Sequence, residues 1–147
     1  MRLRGVVSIA ILLPAAALIA ANHHSLNGTW NLVPAQSEFA GEPVIQRGSV
    51  TINDREHNIT ISRNFTFEGA DQTLTYNFTV DGRENSSIRD GKISKTKAKW
   101  DGDELKVTTT EANVISVERF NLMRDGTMRM VVERPNHPVI TLYLRRE

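Results

Sequence analysis

Three arginines stand where arginine is costly. Arg63 interrupts the apolar series Ile59, Ile61, Phe65 and Phe67, and Arg119 and Arg134 fall on or near the apolar faces of their own segments. A guanidinium removed from water needs a partner. Facing inward, such a group can grip a ligand carboxylate or phosphate through paired N–H donors. Turned outward at strand ends, or paired with Glu118 and Glu133, it is structural; the pattern leaves both readings open. Trp30, Tyr76, Trp100 and Met130 lie on the apolar sides of their segments. With Arg63 and Arg119 they form the candidate ligand-contacting set. Core packing near a strand end accounts equally well for the two tryptophans.

His23 and His24 suggest a second chemistry. Cleavage after Ala21 leaves Asn22-His23-His24 at the amino terminus, and cleavage after Ala20 leaves Ala21-Asn22-His23. Either way the third residue is histidine. A terminal amine, two deprotonated amides and an imidazole make a square-planar nitrogen site suited to Cu(II) or Ni(II). The plainer reading is a polar leader ahead of the domain.

No catalytic constellation stands out, and we expect a protein that is not an enzyme. The chain has no Gly-x-Ser-x-Gly, His-Glu-x-x-His or phosphate-cradling glycine loop. Asp101, Asp103, Glu104 and Asp125 cluster around Asp-Gly turns, which explain them. His57 and His137 fall in turns without a partner at metal-ligand spacing, and Lys92, Lys95, Lys97 and Lys99 read as a solvated strand face.

The elements that must carry these residues are strands. Two-residue alternation runs through Thr29–Val33, Gly48–Asn53, His57–Phe67, Thr73–Val80, Ser86–Arg89, Lys92–Trp100, Glu104–Glu111, Val114–Met123, Thr127–Arg134 and Val139–Arg145. Turn residues punctuate it at Asp54-Arg55-Glu56, Gly69-Ala70-Asp71, Asp81-Gly82, Asp90-Gly91, Asp101-Gly102-Asp103, Arg124-Asp125-Gly126 and Pro135–Pro138. The Pro34–Pro43 segment reads as a long loop with a short helical turn. In Val114–Met123 the phase slips, because Ile115 and Val117 are out of step with Phe120 and Leu122; a bulge near Glu118-Arg119 would reconcile them. The pattern predicts an all-β, antiparallel, up-and-down barrel of about 8–10 strands, since closure removes exposed edges. A two-sheet sandwich is the alternative.

The amino terminus bears on compartment. Met1-Arg2-Leu3-Arg4 is a positive n-region, Gly5–Ala20 is a 16-residue stretch apolar apart from Ser8, and Ala20-Ala21 offers a cleavage site. We expect a signal peptide over 1–21 and one domain over 22–147, with no membrane span after cleavage and a periplasmic or secreted home. Without Arg2 and Arg4, 16 basic residues face 17 acidic ones, so nothing marks a nucleic-acid surface. The absence of cysteine excludes disulfides and thiolate sites and favours a bacterial envelope. Asn27, Asn58, Asn64, Asn77 and Asn85 each begin an Asn-x-Ser/Thr triplet; Thr-rich strands with Asn neighbours generate such triplets freely.

Leu26-Asn27-Gly28-Thr29-Trp30-Asn31-Leu32 resembles the opening of lipocalin-like (calycin) proteins, where a Gly-x-Trp on the first strand plugs one end of a barrel. Gly28-Thr29-Trp30 with Leu32, Pro34, Ser37 and Phe39, together with Lys97-Ala98-Lys99-Trp100-Asp101-Gly102-Asp103, is similar to uncharacterised small exported bacterial proteins. The resemblance implies a lipocalin-like barrel and an envelope location, and by analogy a small apolar ligand; it implies no reaction. Intracellular fatty-acid carriers of that superfamily end in an Arg-x-Tyr pair that grips a carboxylate. Here the order is Tyr143-Leu144-Arg145 beside Ile140, Leu142 and Leu144, so that grip does not carry over. The alternative function is an envelope-protein interaction or inhibitor module acting through its loops, the Pro34–Pro43 segment foremost.

Overall fold

Alternating side chains need a sheet with one dry face, and a single ten-stranded sheet curled on itself supplies it. The computed structural model describes residues 25–147. Its strands are β1 (Gly28–Leu32), β2 (Ile45–Arg55), β3 (Asn58–Phe67), β4 (Ala70–Thr79), β5 (Asn85–Arg89), β6 (Lys92–Asp101), β7 (Glu104–Glu111), β8 (Val114–Leu122), β9 (Met128–Glu133) and β10 (Ile140–Arg146). All neighbours are antiparallel, in the order β4-β3-β2-β1-β10-β9-β8-β7-β6-β5. The sandwich alternative is therefore set aside: β1 pairs with both β2 and β10, which makes one continuous sheet.

The ring is nearly closed. β4 and β5, the two ends of the order, form no ladder; only the single bridge Asp81–Lys99 links the stretch after β4 to β6. Side chains bridge the seam instead. Asn85 Nδ2 donates to Thr79 Oγ1 at 3.2 Å, and the Arg89 guanidinium lies over the Tyr76 ring at 4.9 Å.

The hairpin ends define the two openings. One end holds the turns β2–β3, β6–β7 and β8–β9, and here the interior is packed solid around Trp30, Ile59, Ile61, Phe120, Leu105, Met128 and Leu144, all buried. Each such side chain contributes roughly 1.5–3 kcal/mol by leaving water. Trp30 is fully buried, its Nε1 donates to the Leu26 carbonyl at 2.9 Å, and Arg146 lies 4.4 Å over its ring. Arg146 Nη1 also donates to the Asn27 carbonyl at 2.7 Å, so the lead-in strand end is strapped across the plug. The lead-in is thus more than polar: Leu26 is 1% exposed. The other end carries the turns β3–β4, β5–β6, β7–β8 and β9–β10 and is open.

Two details of register depart from the sequence pattern. The bulge near Glu118-Arg119 is absent, because β8 pairs without interruption from Glu104–Asn121 to Glu111–Val114 on one side and from Val117–Glu133 to Leu122–Met128 on the other. Phase is kept at the expense of polarity: Ile115 is 52% exposed outside, whereas Glu118 is buried inside. The ladder tolerates this because an arginine meets Glu118 across the interior. The one register shift among the ladders lies between Ile45 and Arg47 in β2. The β3–β4 turn is also tighter than Gly69-Ala70-Asp71. It is Glu68-Gly69, with φ of 48° and 81°, the paired left-handed backbone of a two-residue hairpin.

The Pro34–Pro43 segment is not a free loop. A 3-10 turn (Pro34–Gln36) interrupts it, after which Glu38 bridges Thr141 of β10 with N···O distances of 2.7 and 2.9 Å. Ser37 Oγ donates to the Val33 carbonyl and accepts from Tyr143 N, which fixes the turn to the same strand.

Candidate functional site: a charged-floor cavity in the barrel mouth

Above the packed end the interior opens into a cavity of about 1070 Å³. Its walls are the mouth-side ends of β2 to β10, with Ile45, Phe65, Phe67, Leu74, Val132 and Leu142 among the apolar lining. The volume lies just above the ~300–1,000 Å³ typical of small-molecule sites.

The polar groups converge toward its centre. Arg63 Nη1 is 2.6 Å from Glu118 Oε1, and their side chains are 20% and 9% exposed. The same guanidinium lies 5.5 Å from the Phe65 ring centroid and 5.4 Å from that of Tyr76. Arg89 covers Tyr76 from across the seam, donates to Ser94 Oγ at 3.1 Å and reaches Glu111 at 3.6 Å. At the rim Glu42 meets Arg134 at 3.7 Å and His137 at 3.1 Å.

Electrostatics follow from this packing. Burial by itself would lower the Arg63 pKa, but the Glu118 charge and hydrogen bond, with Tyr76, outweigh it and the guanidinium is held firmly charged. Burial pushes the Tyr76 phenol above its ordinary range, and Glu118 adds to the shift while Arg63 and Arg89 oppose it. Tyr76 is therefore a neutral hydroxyl at any physiological pH. The assembly offers hydrogen bonds, cation–π faces and apolar wall.

Of the residues singled out in the sequence, Arg63 and Tyr76 meet in the cavity. Trp30 and Met130 belong to the packed core, and Trp100 is half-buried against that core, outside the cavity lining. Arg119 is on the outer face. There it pairs with Glu104 at 2.9 Å and Glu133 at 3.5 Å, which follows directly from the missing bulge. Arg134 is confined to the rim. His23 and His24 lie outside the described residues.

Glu118 and Arg89 were not anticipated as site residues. A strict two-residue step back from Phe120 reaches Glu118 and then Ser116, so the alternation alone carried that signal. Arg89 had none, since β5 (Asn-Ser-Ser-Ile-Arg) has no apolar inner face to reveal its phase. At β10 the inward positions are Leu142 and Leu144, both buried, in keeping with the absence of a terminal carboxylate grip.

The sequence matches no family model and no curated protein. Solved structures do match. The REP1-NXSQ fatty acid transporter superposes with a TM-score of 0.63 at 23% identity, covering 83% of this chain and 96% of that one. Human cRBP IV gives 0.63 at 18% identity, with 84% and 99% covered. A Schistosoma mansoni fatty acid binding protein in complex with arachidonic acid gives 0.61 at 17% identity, with 82% and 95% covered. The fold is a calycin-type barrel. At these identities the likeness extends to architecture. Within this barrel the cavity chemistry belongs to the chain's own residues, Arg63, Tyr76, Arg89 and Glu118.

Proposed function

We propose that this protein is an exported, non-catalytic carrier that takes a small apolar or amphipathic ligand into its barrel mouth. The observation that carries the reading is the roughly 1070 Å³ cavity, which combines Phe, Leu, Ile and Val wall with the Arg63, Tyr76 and Glu118 group and further charged side chains in its lining. The similarity to structures named as fatty acid transporter and fatty acid binding proteins supports it by analogy of fold. Export rests on the charge and apolar pattern of residues 1–21, and a periplasmic or secreted location in a bacterial envelope rests on that pattern with the lack of cysteine.

The alternative interaction module names the Pro34–Pro43 segment as its foremost contact, and that segment is bonded to β10 through Glu38 and Thr141. The test is native mass spectrometry of protein purified from its own source, followed by titration with an uncharged solvatochromic dye. A co-purifying small molecule, or saturable dye binding at one site per chain, supports the carrier. A bound protein with no dye site overturns it.

A further inference from the structure

We infer that the cavity selects an uncharged amphiphile, such as a long-chain alcohol, amide or monoester, and discriminates against a free carboxylate. The inference rests on the carrier reading and names the ligand class of that same cavity.

The cavity's arginines already have carboxylate partners. Five acidic and four basic side chains line the cavity, leaving one negative charge in excess. Three of the four basic groups are arginines already engaged, Arg63 with Glu118 at 2.6 Å, Arg89 with Glu111 at 3.6 Å and Arg134 with Glu42 at 3.7 Å, and the fourth, Lys92, is exposed at the rim where water screens it. An entering carboxylate loses its hydration and finds the deepest guanidinium bound to a buried carboxylate of its own sign. To share Arg63 it must sit beside the like-signed Glu118 carboxylate in a site removed from water, and to take Arg63 over it must leave Glu118 without its partner inside the barrel. A neutral headgroup meets no such conflict. Arg63 has five N–H donors and gives one to Glu118 Oε1. A hydroxyl or carbonyl can accept from the remaining donors while the Arg63–Glu118 pair stays intact. The Tyr76 phenol, kept neutral by burial, adds a further donor and acceptor. The inward Leu142 and Leu144 of β10 supply no compensating cation.

The test compares headgroups on one chain. Displacement of an uncharged fluorophore from the purified protein is measured at pH 8.5 with oleyl alcohol, oleamide and oleate. We expect the alcohol and the amide to displace at free concentrations at least tenfold below oleate. Glu118→Gln frees Arg63, and in that variant oleate should gain at least tenfold while the alcohol does not. Equal or tighter binding of oleate by the unaltered protein overturns the inference while leaving the carrier reading in place. A folded Glu118→Gln protein with no gain for oleate also overturns it. Should that variant not fold, as judged by circular dichroism, the comparison on the unaltered protein decides. If the fluorophore binds and none of the three amphiphiles displaces it, the inference falls and the carrier reading stands; if the fluorophore itself finds no site, both fall.

Discussion

Arg63 Nη1 and Glu118 Oε1 meet at 2.6 Å across the barrel interior, joining β3 to β8. These strands are five steps apart around the sheet in either direction, so the pair ties opposite walls. It also sits between the packed end and the cavity, with Phe120 on one side and Ser116 on the other. Removing one partner strands the other's charge. Arg63→Met alone should destabilise by about 3 kcal/mol, and the double variant with Glu118→Leu should recover much of that loss. Urea denaturation checks it; a single variant as stable as the parent contradicts the assignment.

Trp30 is the keystone of the closed end. Trp30→Ala should cost about 3–5 kcal/mol through the cavity it leaves. Arg146→Ala removes the cation lying 4.4 Å over that ring and its bond to the Asn27 carbonyl. Its cost should be nearer ~1 kcal/mol, because Arg146 is exposed. Thermal melts of both variants give the order; a larger effect for Arg146 reverses the account.

Gly48 is open to a steric test. A Cβ there would stand 2.4 Å from Phe65 Cδ1, so the ring packs on bare backbone across the β2–β3 ladder. Gly48→Val should push Phe65 toward the cavity, cost about 1–3 kcal/mol and weaken ligand binding. Dye affinity and denaturation measured together check this, and unchanged affinity would show that Phe65 finds another way out.

Tyr76 should titrate late. Its folded pKa is raised by burial first and by Glu118 second. A raised pKa means the fold favours the protonated phenol. The associated stability is complete below the unfolded tyrosine pKa and is lost as pH rises through the folded one. The chain has two tyrosines, so in Tyr143→Phe the phenolate absorbance reports Tyr76 alone. Its midpoint should lie above that of the same protein in denaturant; a lower midpoint would contradict a neutral Tyr76.

The amino terminus carries its own test. Mass analysis of exported protein should find a chain beginning at Ala21 or Asn22, with histidine third. Cu(II) should then bind with the visible band of four-nitrogen square-planar copper, and trimming to Ser25 should abolish it. A chain that keeps Met1, or a titration without that band, removes the proposal.

Strand identity was written in the sequence because period-2 alternation and Asp-Gly turns are local properties of a dozen residues. Leu74, Tyr76, Phe78 and Val80 share a face by spacing alone, and Arg63 is inward by the same rule. Where polarity and phase conflicted, as at Ile115, Val117 and Glu118, reading hydrophobicity suggested a bulge, while the unbroken ladder kept the phase. Local pattern cannot price a buried glutamate, because the price depends on an arginine 55 residues away in the chain. The sequence by itself determined the strands, their hairpin order and the inward face of most of them. Tertiary structure alone decided that Arg63 meets Glu118, that Arg119 faces water, that Arg89 closes the seam over Tyr76, and that a cavity opens above the packed end. Those outcomes depend on which opposite walls the closed ring brings within a few ångströms, and distance across a barrel is no property of spacing along a chain.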